Sequence, residues 1–270
     1  MNSDTELFND IEYKQIRSWL LTRSGIYLDE KRNSLVSHRL HKRMAELKLN
    51  NFENYALRVL NDLEEQQIAL NLLTTNETYF FREPKHFEFI CERLISEFVG
   101  LNKVNAWSAA SSSGEEVYSL AMLFDDRLPE KNWHILGTDI NTDMLSIASR
   151  ASYELTSKNK VPEYYLKRYC LKGVGDSDGL FKIKDELKQR VSFKHHNLLN
   201  KPKNNKEKFD LVLLRNVLIY FQLAERKKVV QNVTEQMRSG GWLIVGHSEN
   251  IHGFDERLVL KQTGCYQFQP

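Results

Sequence analysis

The sequence predicts an α/β fold, in which a doubly wound, Rossmann-like parallel sheet follows a domain of helices. Three observations support this prediction. Residues 1–75 show only helical periodicity, strand-like and helix-like segments alternate from residue 104 onward, and a turn of small residues separates the first such strand from the first such helix. Alternation of this kind is typical of βαβ units, whose strands lie parallel in one sheet.

Amphipathic helices account for residues 1–75, which we predict to be a separate N-terminal domain. Apolar residues recur there at helical spacing, and no Gly or Pro interrupts the second and third stripes. An extended aromatic segment and a helix over about 85–98, with Pro84 in its first turn, are predicted to form a linker, residues 76–103. The three stripes are Ile11, Ile16, Trp19 and Leu20; Leu35, Val36, Leu40, Met44 and Leu47; and Tyr55, Leu57, Leu60, Leu63, Ile68 and Leu72.

The remaining residues, 104–270, are predicted to form the domain that contains the sheet. Its tail after Gly253 is rich in β-forming residues and predicts an antiparallel hairpin at a sheet edge. A segment with several glycines, about 172–193, breaks the alternation and predicts a small inserted β-subdomain. Predicted strands cover 104–108, 134–138, 191–195, 211–214 and 242–246, and predicted helices cover 115–124, 142–151, 162–169 and 224–238.

Composition narrows the class of protein. With 270 residues, 41% hydrophobic content and a net charge of +2, the chain suits a globular protein with a proper core. The N-terminus is acidic without an apolar core segment, and no apolar run approaches membrane-spanning length, so we expect neither a secretory signal nor membrane insertion. The scattered Cys91, Cys170 and Cys265 predict free thiols in a reducing cytoplasm. The histidines form no metal-ligand motif such as HExxH, and no metal site is expected.

The turn AASSSG, residues 109–114, carries the main functional signal. Small residues let backbone amides approach a ligand closely, and Asp139, at the end of the next apolar run, is placed to hold ribose hydroxyls. The dinucleotide fingerprint G-x-G-x-x-G is absent. Glu115 and Glu116, at the start of the following helix, would repel a pyrophosphate and attract an α-amino or sulfonium group. The turn therefore indicates a cationic, nucleoside-containing ligand such as S-adenosylmethionine. The alternative is a plain strand-loop-helix whose glutamates merely favour the helix N-terminus.

Six separated segments carry a joint signature: NETYFFRE (76–83), WSAASSSGEE (107–116), GTDI (137–140), NLL (197–199), RNVLIYF (215–221) and GHSEN (246–250). Together and in this order they resemble the CheR family of chemoreceptor glutamate methyltransferases. The similarity covers nearly the whole chain. It implies an S-adenosylmethionine-dependent enzyme that esterifies glutamate side chains on the cytoplasmic part of bacterial chemoreceptors, and a cytoplasmic protein that is usually monomeric.

The same resemblance implies roles for individual residues. Arg82 and Tyr220 are expected at the reacting groups, with Tyr220 beside the transferred methyl. Glu115, favoured over Glu116, is expected to bind the methionine amino group. The expected cofactor contacts are Asn76, Thr78 and Arg82 in the linker, Glu115, Asp139 at the ribose, Asn197 and Leu198 beside the adenine, and Arg215 with Asn216 closing the pocket.

Each of these side chains also has a plain explanation. Arg82 is equally suited to a surface ion pair, Asp139 to a helix N-cap, and Asn197 to the end of a strand. Tyr220 lies in an apolar run, as an ordinary core aromatic would. These alternatives stay open from the residues alone.

Two further segments bear on partners. Arg39, Lys42 and Arg43 share one face of a basic helix, whose default is a solvated surface. The resemblance implies that this helix meets the acidic methylation region of the receptor. It also implies that the β-subdomain captures a receptor C-terminal peptide by strand addition, as in some members of the family.

Two other classes of function agree less well with the sequence. A non-catalytic module that binds S-adenosylmethionine is disfavoured by the Arg82 and Tyr220 matches. A nucleic-acid methyltransferase, suggested by the basic helix, is disfavoured by the near-neutral charge and by the lack of an aromatic-basic platform or a base-flipping motif. We therefore expect no nucleic-acid partner.

Overall fold

The computed structural model describes residues 8–130, 132–157, 159–201 and 207–270. The chain forms two compact units. The first comprises the residues up to Thr75 together with Ile219–Arg226, and the second comprises Asn76–Leu218 and Lys227–Pro270. No helix in the described ranges combines the length and apolar character needed to cross a bilayer.

Helices build the described part of the first unit. Asn9 starts the first helix with a reciprocal capping box, in which its side chain accepts from the backbone N–H of Glu12 and the Glu12 carboxylate accepts from the backbone N–H of Asn9. Ile16, Leu20 and Leu40 are completely buried in the core of the unit. The helices up to Thr75 are α1 (Asp10–Ser24), α2 (Asn33–Glu46), α3 (Phe52–Asn61) and α4 (Leu63–Leu73).

The third predicted apolar stripe does not form one face. Asp62 has extended backbone, and its side chain accepts hydrogen bonds from the backbone of Glu64 and Glu65, so α3 ends and α4 begins there. As a result Leu57 and Leu63 are 48% and 77% exposed. The capping residue, rather than a Gly or Pro, breaks the helical pattern.

Ten strands lie in the described part of the second unit. Their alternation with helices matches the predicted βαβ pattern. The helices that follow α4 are α5 (Pro84–Phe89), α6 (Ile95–Val99), α7 (Glu115–Arg127), α8 (Thr142–Arg150), α9 (Glu163–Tyr169), α10 (Asp185–Lys188) and α11 (Leu223–Thr234). The strands are β1 (Lys103–Ala109), β2 (Asn132–Asp139), β3 (Ser152–Glu154), β4 (Cys170–Lys172), β5 (Leu180–Ile183), β6 (Val191–His195), β7 (Phe209–Leu214), β8 (Met237–Val245), β9 (Leu258–Gln262) and β10 (Cys265–Phe268).

Seven of these strands form the main sheet, in the order β6-β2-β1-β7-β8-β10-β9. Strands β6, β2, β1, β7 and β8 pair in parallel, and β10 pairs antiparallel with both β8 and β9. The predicted doubly wound α/β fold and the terminal antiparallel hairpin are therefore confirmed. Because the carboxyl ends of parallel strands lie at one edge, the segments after β1, β2 and β7 meet there.

Two predicted helices differ from the structure. A π-helical turn, Ile90–Leu94, lies between α5 and α6, inside the helix predicted over 85–98. The helix predicted over 224–238 is too long, because α11 ends at Thr234 and β8 begins at Met237. Met237 pairs with Phe209 of β7, so strand pairing takes residues that helical periodicity had assigned to α11.

A second, three-stranded antiparallel sheet has the order β3-β5-β4. It uses residues from Ser152 to Ile183, so it draws on a wider stretch than the predicted segment 172–193. The end of that segment forms helix α10 and the start of β6, which belongs to the main sheet. Strand β5 pairs with β3 on one side and with β4 on the other, and this pairing brings residues before position 172 into the small sheet.

Candidate cofactor site

The turn after β1 is strained and held by the neighbouring strand. Backbone N–H groups of Ala110 and Ser111 donate to the carbonyl oxygen of Thr138, at 2.9 and 2.8 Å. Ala110, Ser112 and Gly114 have φ values of 101°, 47° and 96°. Only glycine adopts such values without cost, and strain at non-glycine residues persists where the surroundings over-determine it, often at functional sites. The shape of this turn is therefore set by tertiary contacts.

Asp139, at the end of β2, is buried beside that turn. Its Oδ2 accepts from the backbone N–H of Ser112 and its Oδ1 from that of Asn141, each at 2.8 Å. Burial raises the pKa of Asp139, and these backbone donors oppose that rise. The N-cap of α8 is Asn141, which accepts from Asp143 and Met144. Asp139 is therefore not the helix cap, and its carboxylate lies at the edge where ligands of such sheets bind.

The adjacent carboxylates of Glu115 and Glu116 lie in different surroundings. Glu115 is 6% exposed, and its Oε2 accepts from the hydroxyl of Ser113 at 2.7 Å. Burial raises the pKa of Glu115, and no cationic side chain pairs with it among the described residues. Glu116 instead accepts from Arg215 at 2.8 Å and from the hydroxyl of Ser108 at 2.7 Å. Glu115 is thus the carboxylate that lacks a cation.

Gly114 allows close packing at the start of α7. A Cβ at this position would lie 2.8 Å from the Cβ of Ala148 and 3.0 Å from the hydroxyl of Tyr153. That hydroxyl donates to the carbonyl oxygen of Ser113 at 2.8 Å. Tyr153, which belongs to β3, therefore supports the turn that carries Glu115.

Arg215 is the centre of a buried charge network. Its side chain is 1% exposed and pairs with Glu116 at 2.8 Å and with Glu83 at 3.2 Å. Its Nη2 also donates to the carbonyl oxygen of Arg82. These contacts connect the segment before α5, the start of α7 and the segment after β7.

Asn216 extends this network. Its side chain donates to Glu83 Oε1 at 2.9 Å and its backbone N–H to Glu249 Oε2 at 2.8 Å, with a left-handed φ of 56°. Glu249 also accepts from the backbone of Leu218 and Gly246. Glu83 itself has a φ of 56°, and hydrogen bonds fix it in that conformation.

The other predicted cofactor contacts lie on segments near this edge. The carbonyl oxygen of Asn76 accepts from the hydroxyl of Ser112 at 3.3 Å. The guanidinium of Arg82 donates to the carbonyl of Glu77 and lies 5.8 Å from the ring centroid of Tyr79. Thr78, which lies between Glu77 and Tyr79 in the sequence, is half-buried.

The segment after β6 holds the two residues expected beside the adenine. Asn197 accepts from the backbone N–H of Leu199 at 3.0 Å. Leu198 is 8% exposed, and its carbonyl accepts from Asn232 at 2.9 Å. These hydrogen bonds hold the segment in place. The contact of Asn197 and Leu198 with the adenine stays a prediction.

Comparison with known proteins identifies the family. The family model described as "CheR methyltransferase, SAM binding domain" matches residues 76–266, and that described as "CheR methyltransferase, all-alpha domain" matches residues 11–74. The chain belongs to the CheR methyltransferase family. It is accordingly an S-adenosylmethionine-dependent methyltransferase.

Relatives cover nearly the whole of this CheR family member. The chemotaxis protein methyltransferase of Salmonella typhimurium is 32% identical over 262 residues, covering 96% of this chain and 90% of that protein. The protein of the same name from Escherichia coli is 32% identical over 266 residues, covering 96% and 91%. Chemotaxis protein methyltransferase 2 of Pseudomonas aeruginosa is 34% identical over 245 residues, covering 89% and 86%.

The residues of this CheR site fit S-adenosylmethionine. The amino group and sulfonium of that cofactor are cationic, and Glu115 is a buried carboxylate without a described cationic partner. The hydroxyl of Ser111 is also buried without a hydrogen-bond partner in the described structure, so a donor or acceptor in the turn is unsatisfied. Gly137 has no space for a side chain, because a Cβ there would lie 2.6 Å from Phe193 and 3.0 Å from the Ser111 hydroxyl.

The remaining predicted site residues lie in the first compact unit. Tyr220 is half-buried, and its carbonyl accepts from the backbone N–H of Tyr27 at 2.9 Å. Arg39 donates to the carbonyls of Leu73 and Thr74, at 2.7 and 3.1 Å. Within the basic helix α2, Lys42 is exposed.

Arg43 has a different environment from Lys42. It forms a two-point pair with Glu65, through bonds of 3.0 and 2.8 Å, and Glu65 is 1% exposed. Tyr55 donates to the same carboxylate at 3.0 Å. Arg43 therefore differs from a freely solvated side chain: its guanidinium stays partly exposed, but the carboxylate it neutralises is buried inside the unit. Its contact with the receptor stays a prediction.

Sequence reasoning missed some contributors to the site. Glu83 belongs to a segment that carried the family resemblance, but no role was assigned to it. Tyr153 had no sequence signal, because its contact with the turn joins residues 40 positions apart. Its placement depends on how the small sheet packs.

Proposed function

We propose that this CheR family member transfers methyl groups from S-adenosylmethionine to glutamate side chains of bacterial chemoreceptors in the cytoplasm, forming methyl esters. The observation that carries the proposal is the buried carboxylate of Glu115, which follows the turn that Asp139 binds and has no described cationic partner. The names of relatives that span most of this chain supply the substrate class.

The proposed binding roles follow from charge and position. Glu115 would hold the cofactor's amino group, and Asp139 its ribose hydroxyls. Further cofactor contacts would come from the linker, through Asn76, Thr78 and Arg82. The segment after β6 would contact the adenine through Asn197 and Leu198. When bound, S-adenosylmethionine supplies a methyl group on a positively charged sulfur.

Positioning is the main catalytic contribution that this chain has to make. A glutamate has an ordinary pKa near 4.3, so the acceptor is already an ionised nucleophile at neutral pH and needs no general base. Correct orientation of reacting groups is worth about 7–11 kcal/mol. We assign Arg82 to orienting the acceptor carboxylate and Tyr220 to the surroundings of the methyl group.

For Arg215 and Asn216 the contacts support positioning. Both terminal nitrogens of Arg215 are bound to protein groups, among them Glu83 and Glu116, whereas its buried Nε has no hydrogen-bond partner in the described structure. Asn216 is bound to Glu83 and Glu249. We propose that both close the pocket by holding the segments around it. Removal of a buried guanidinium that lies between two carboxylates would leave both without their cation, so Arg215 fixes their placement.

Transfer of labelled methyl groups tests the proposed reaction. The protein is incubated with S-adenosylmethionine labelled in the methyl group and with membranes that contain chemoreceptors, and the product is treated with alkali. A carboxyl methyl ester releases volatile labelled methanol under alkali. Binding of S-adenosylhomocysteine without any transfer would favour a non-catalytic module, and label that resists alkali would exclude esterification.

Matched variants connect that reaction to the site. Glu115→Gln should lose most of the transfer at low cofactor concentration, whereas Glu186→Gln, on exposed α10, should retain it. Equal activity of both variants would contradict the assignment of Glu115.

We further propose that Lys42 on α2 attracts the acidic methylation region of the receptor. Lys42 is exposed and therefore available to a partner, whereas Arg39 and Arg43 are engaged in contacts within the first unit. Lys42→Ala should weaken receptor methylation while leaving S-adenosylhomocysteine affinity unchanged. Loss of cofactor binding in this variant would reject the role.

A receptor C-terminal peptide is proposed to add to the small sheet. Strand β4 is an edge of this sheet, and Leu171 is 54% exposed there. Titration of such peptides should give saturable binding that Lys172→Pro abolishes, because the register of β4 on β5 directs the backbone N–H of Lys172 away from β5 and proline removes that donor. Sedimentation of the free protein tests the accompanying proposal that it is a monomer.

A further inference from the structure

Three potential metal ligands converge between the start of α5 and the segment after β8. Glu83, His86 and His247 each offer a donor atom, and these atoms lie within 4.8 Å of one another. Glu83 Oε2 is 3.3 Å from His86 Nδ1 and 3.7 Å from His247 Nδ1. All three residues belong to the second compact unit.

The spacing suits a tetrahedral ion. Zinc binds imidazole nitrogen and carboxylate oxygen at about 2.0–2.2 Å, which places two ligand atoms roughly 3.3 Å apart. The separations around Glu83 Oε2 are close to that value. No two of the three donor atoms are more than 4.8 Å apart, and the His247 side chain, 42% exposed, is the least confined of the three.

His86 supplies an independent indication. It is 2% exposed, and neither ring nitrogen has a hydrogen-bond partner in the described structure. Glu83 Oε2 lies near Nδ1 without forming a hydrogen bond. Buried polar atoms are nearly always satisfied, so an unpartnered imidazole beside a carboxylate points to a missing ligand.

The surrounding charges tolerate a cation. Arg215 contributes one positive charge, and its partners Glu83 and Glu116 contribute two negative charges. The group is therefore anionic before an ion binds, as long as the histidines are neutral. Arg215 also hydrogen-bonds the carboxylate that would ligate the ion, as partners of metal ligands commonly do.

We propose that Glu83, His86 and His247 form a binding site for a divalent transition metal of the zinc class. Two imidazoles and one carboxylate are a common protein ligand set for such ions. The exposed side of His247 leaves a fourth position for water. The ion would fasten the start of α5 to the segment after β8. The inference does not rest on the proposed methylation reaction, although Glu83 also binds Arg215 and Asn216 beside the cofactor site.

Calorimetric titration of zinc into the full chain, after removal of any affinity tag and in chelator-treated buffer, tests the site. We expect one equivalent to bind and the melting temperature to rise with zinc concentration, since a ligand of the folded state stabilises it. Cobalt, titrated separately, should develop the visible absorption of a tetrahedral complex.

Variants decide whether these three residues are the ligands. His247→Ala should weaken zinc binding at least about 100-fold, because even partners of the ligands cost 10- to 100-fold when replaced. His252→Ala, an exposed histidine in the same segment, should bind as the wild type does. Glu83→Gln keeps the shape of the side chain and should also weaken binding. Absence of binding by the wild type, or equal binding by the His247 and His252 variants, would overturn the proposal.

Discussion

Glu115 and Glu116 differ because the start of α7 places one carboxylate against the hydroxyl of Ser113 and the other against the guanidinium of Arg215. Glu116 is neutralised by that guanidinium at 2.8 Å, whereas Glu115 is buried with only the hydroxyl of Ser113 as a described side-chain partner. A buried carboxylate without a cation is unfavourable in the free protein. The cofactor's amino group would remove this cost. Glu115 would therefore lower the unfolding free energy of the free protein and raise its affinity for the cofactor.

Replacement of Glu115 by Gln tests that exchange. We expect S-adenosylhomocysteine affinity to fall roughly 10- to 100-fold, because a hydrogen bond to a charged group is worth about 1.5–3 kcal/mol. The melting temperature of the free protein should not fall, since a buried charge is removed. Calorimetry and thermal unfolding measure the two quantities. A less stable variant with unchanged affinity would show that Glu115 is structural.

The same residue predicts a pH dependence. Burial raises the pKa of Glu115 above its ordinary value, and a bound amino group favours the ionised carboxylate. Affinity for S-adenosylhomocysteine should therefore fall as pH falls through this raised pKa, with less dependence in Glu115→Gln. In the free protein the folded state binds this proton more tightly than the unfolded chain. The contribution of Glu115 to unfolding free energy therefore decreases as pH rises from the unfolded pKa through the folded one. Titrations across mildly acidic pH test both signs.

Arg43 and its neighbour Lys42 give a stability prediction for the first unit. Arg43→Ala would leave Glu65, which is 1% exposed, without its two-point partner. We expect a loss of about 3 kcal/mol in unfolding free energy, the lower end of the cost for breaking a buried pair. Lys42→Ala should change it by less than about 0.5 kcal/mol, because this side chain is exposed. Urea unfolding would contradict the prediction if the two variants were equally stable.

At the scale of elements, strand β3 of the small sheet supports the cofactor turn. The Tyr153 hydroxyl holds the carbonyl of Ser113, and the ring packs against Phe80 with centroids 5.0 Å apart. Three non-contiguous segments therefore meet behind the turn. A displacement of β3 would therefore move the turn next to Glu115 through the hydrogen bond between Tyr153 and Ser113.

Tyr153→Phe isolates that contact. Loss of one hydrogen bond of ordinary strength, about 1 kcal/mol, predicts roughly 5-fold weaker binding of S-adenosylhomocysteine. Tyr164→Phe is the matched control, because its hydroxyl donates to Asp126 at an exposed position. If both variants bind the ligand equally well in calorimetry, Tyr153 does not position the turn.

For the whole molecule, the charge balance predicts how recognition depends on salt. The net charge is only +2, so attraction to an acidic receptor has to come from a local basic surface such as that at Lys42. Receptor methylation at low receptor concentration should slow as salt increases, and Lys42→Glu should reduce that dependence. Initial rates at several salt concentrations measure it, with S-adenosylhomocysteine affinity as the control. An identical salt dependence in the variant would exclude steering by Lys42.

The sequence by itself determined the α/β class, the alternation of elements, the small-residue turn and the acid at the end of β2. These features are local, because hydrophobic periodicity and backbone freedom act over a few neighbouring residues. The family resemblance added residue roles that periodicity does not contain.

Only the tertiary structure decided which charges are buried and what neutralises them. The Arg215 contact with Glu116 spans 99 positions, and the backbone contact of His247 with Glu83 spans 164. No histidine spacing predicted a metal site, yet folding brings His86, His247 and Glu83 together. Burial and ion pairing depend on packing between distant segments, and a local pattern carries no information about that packing.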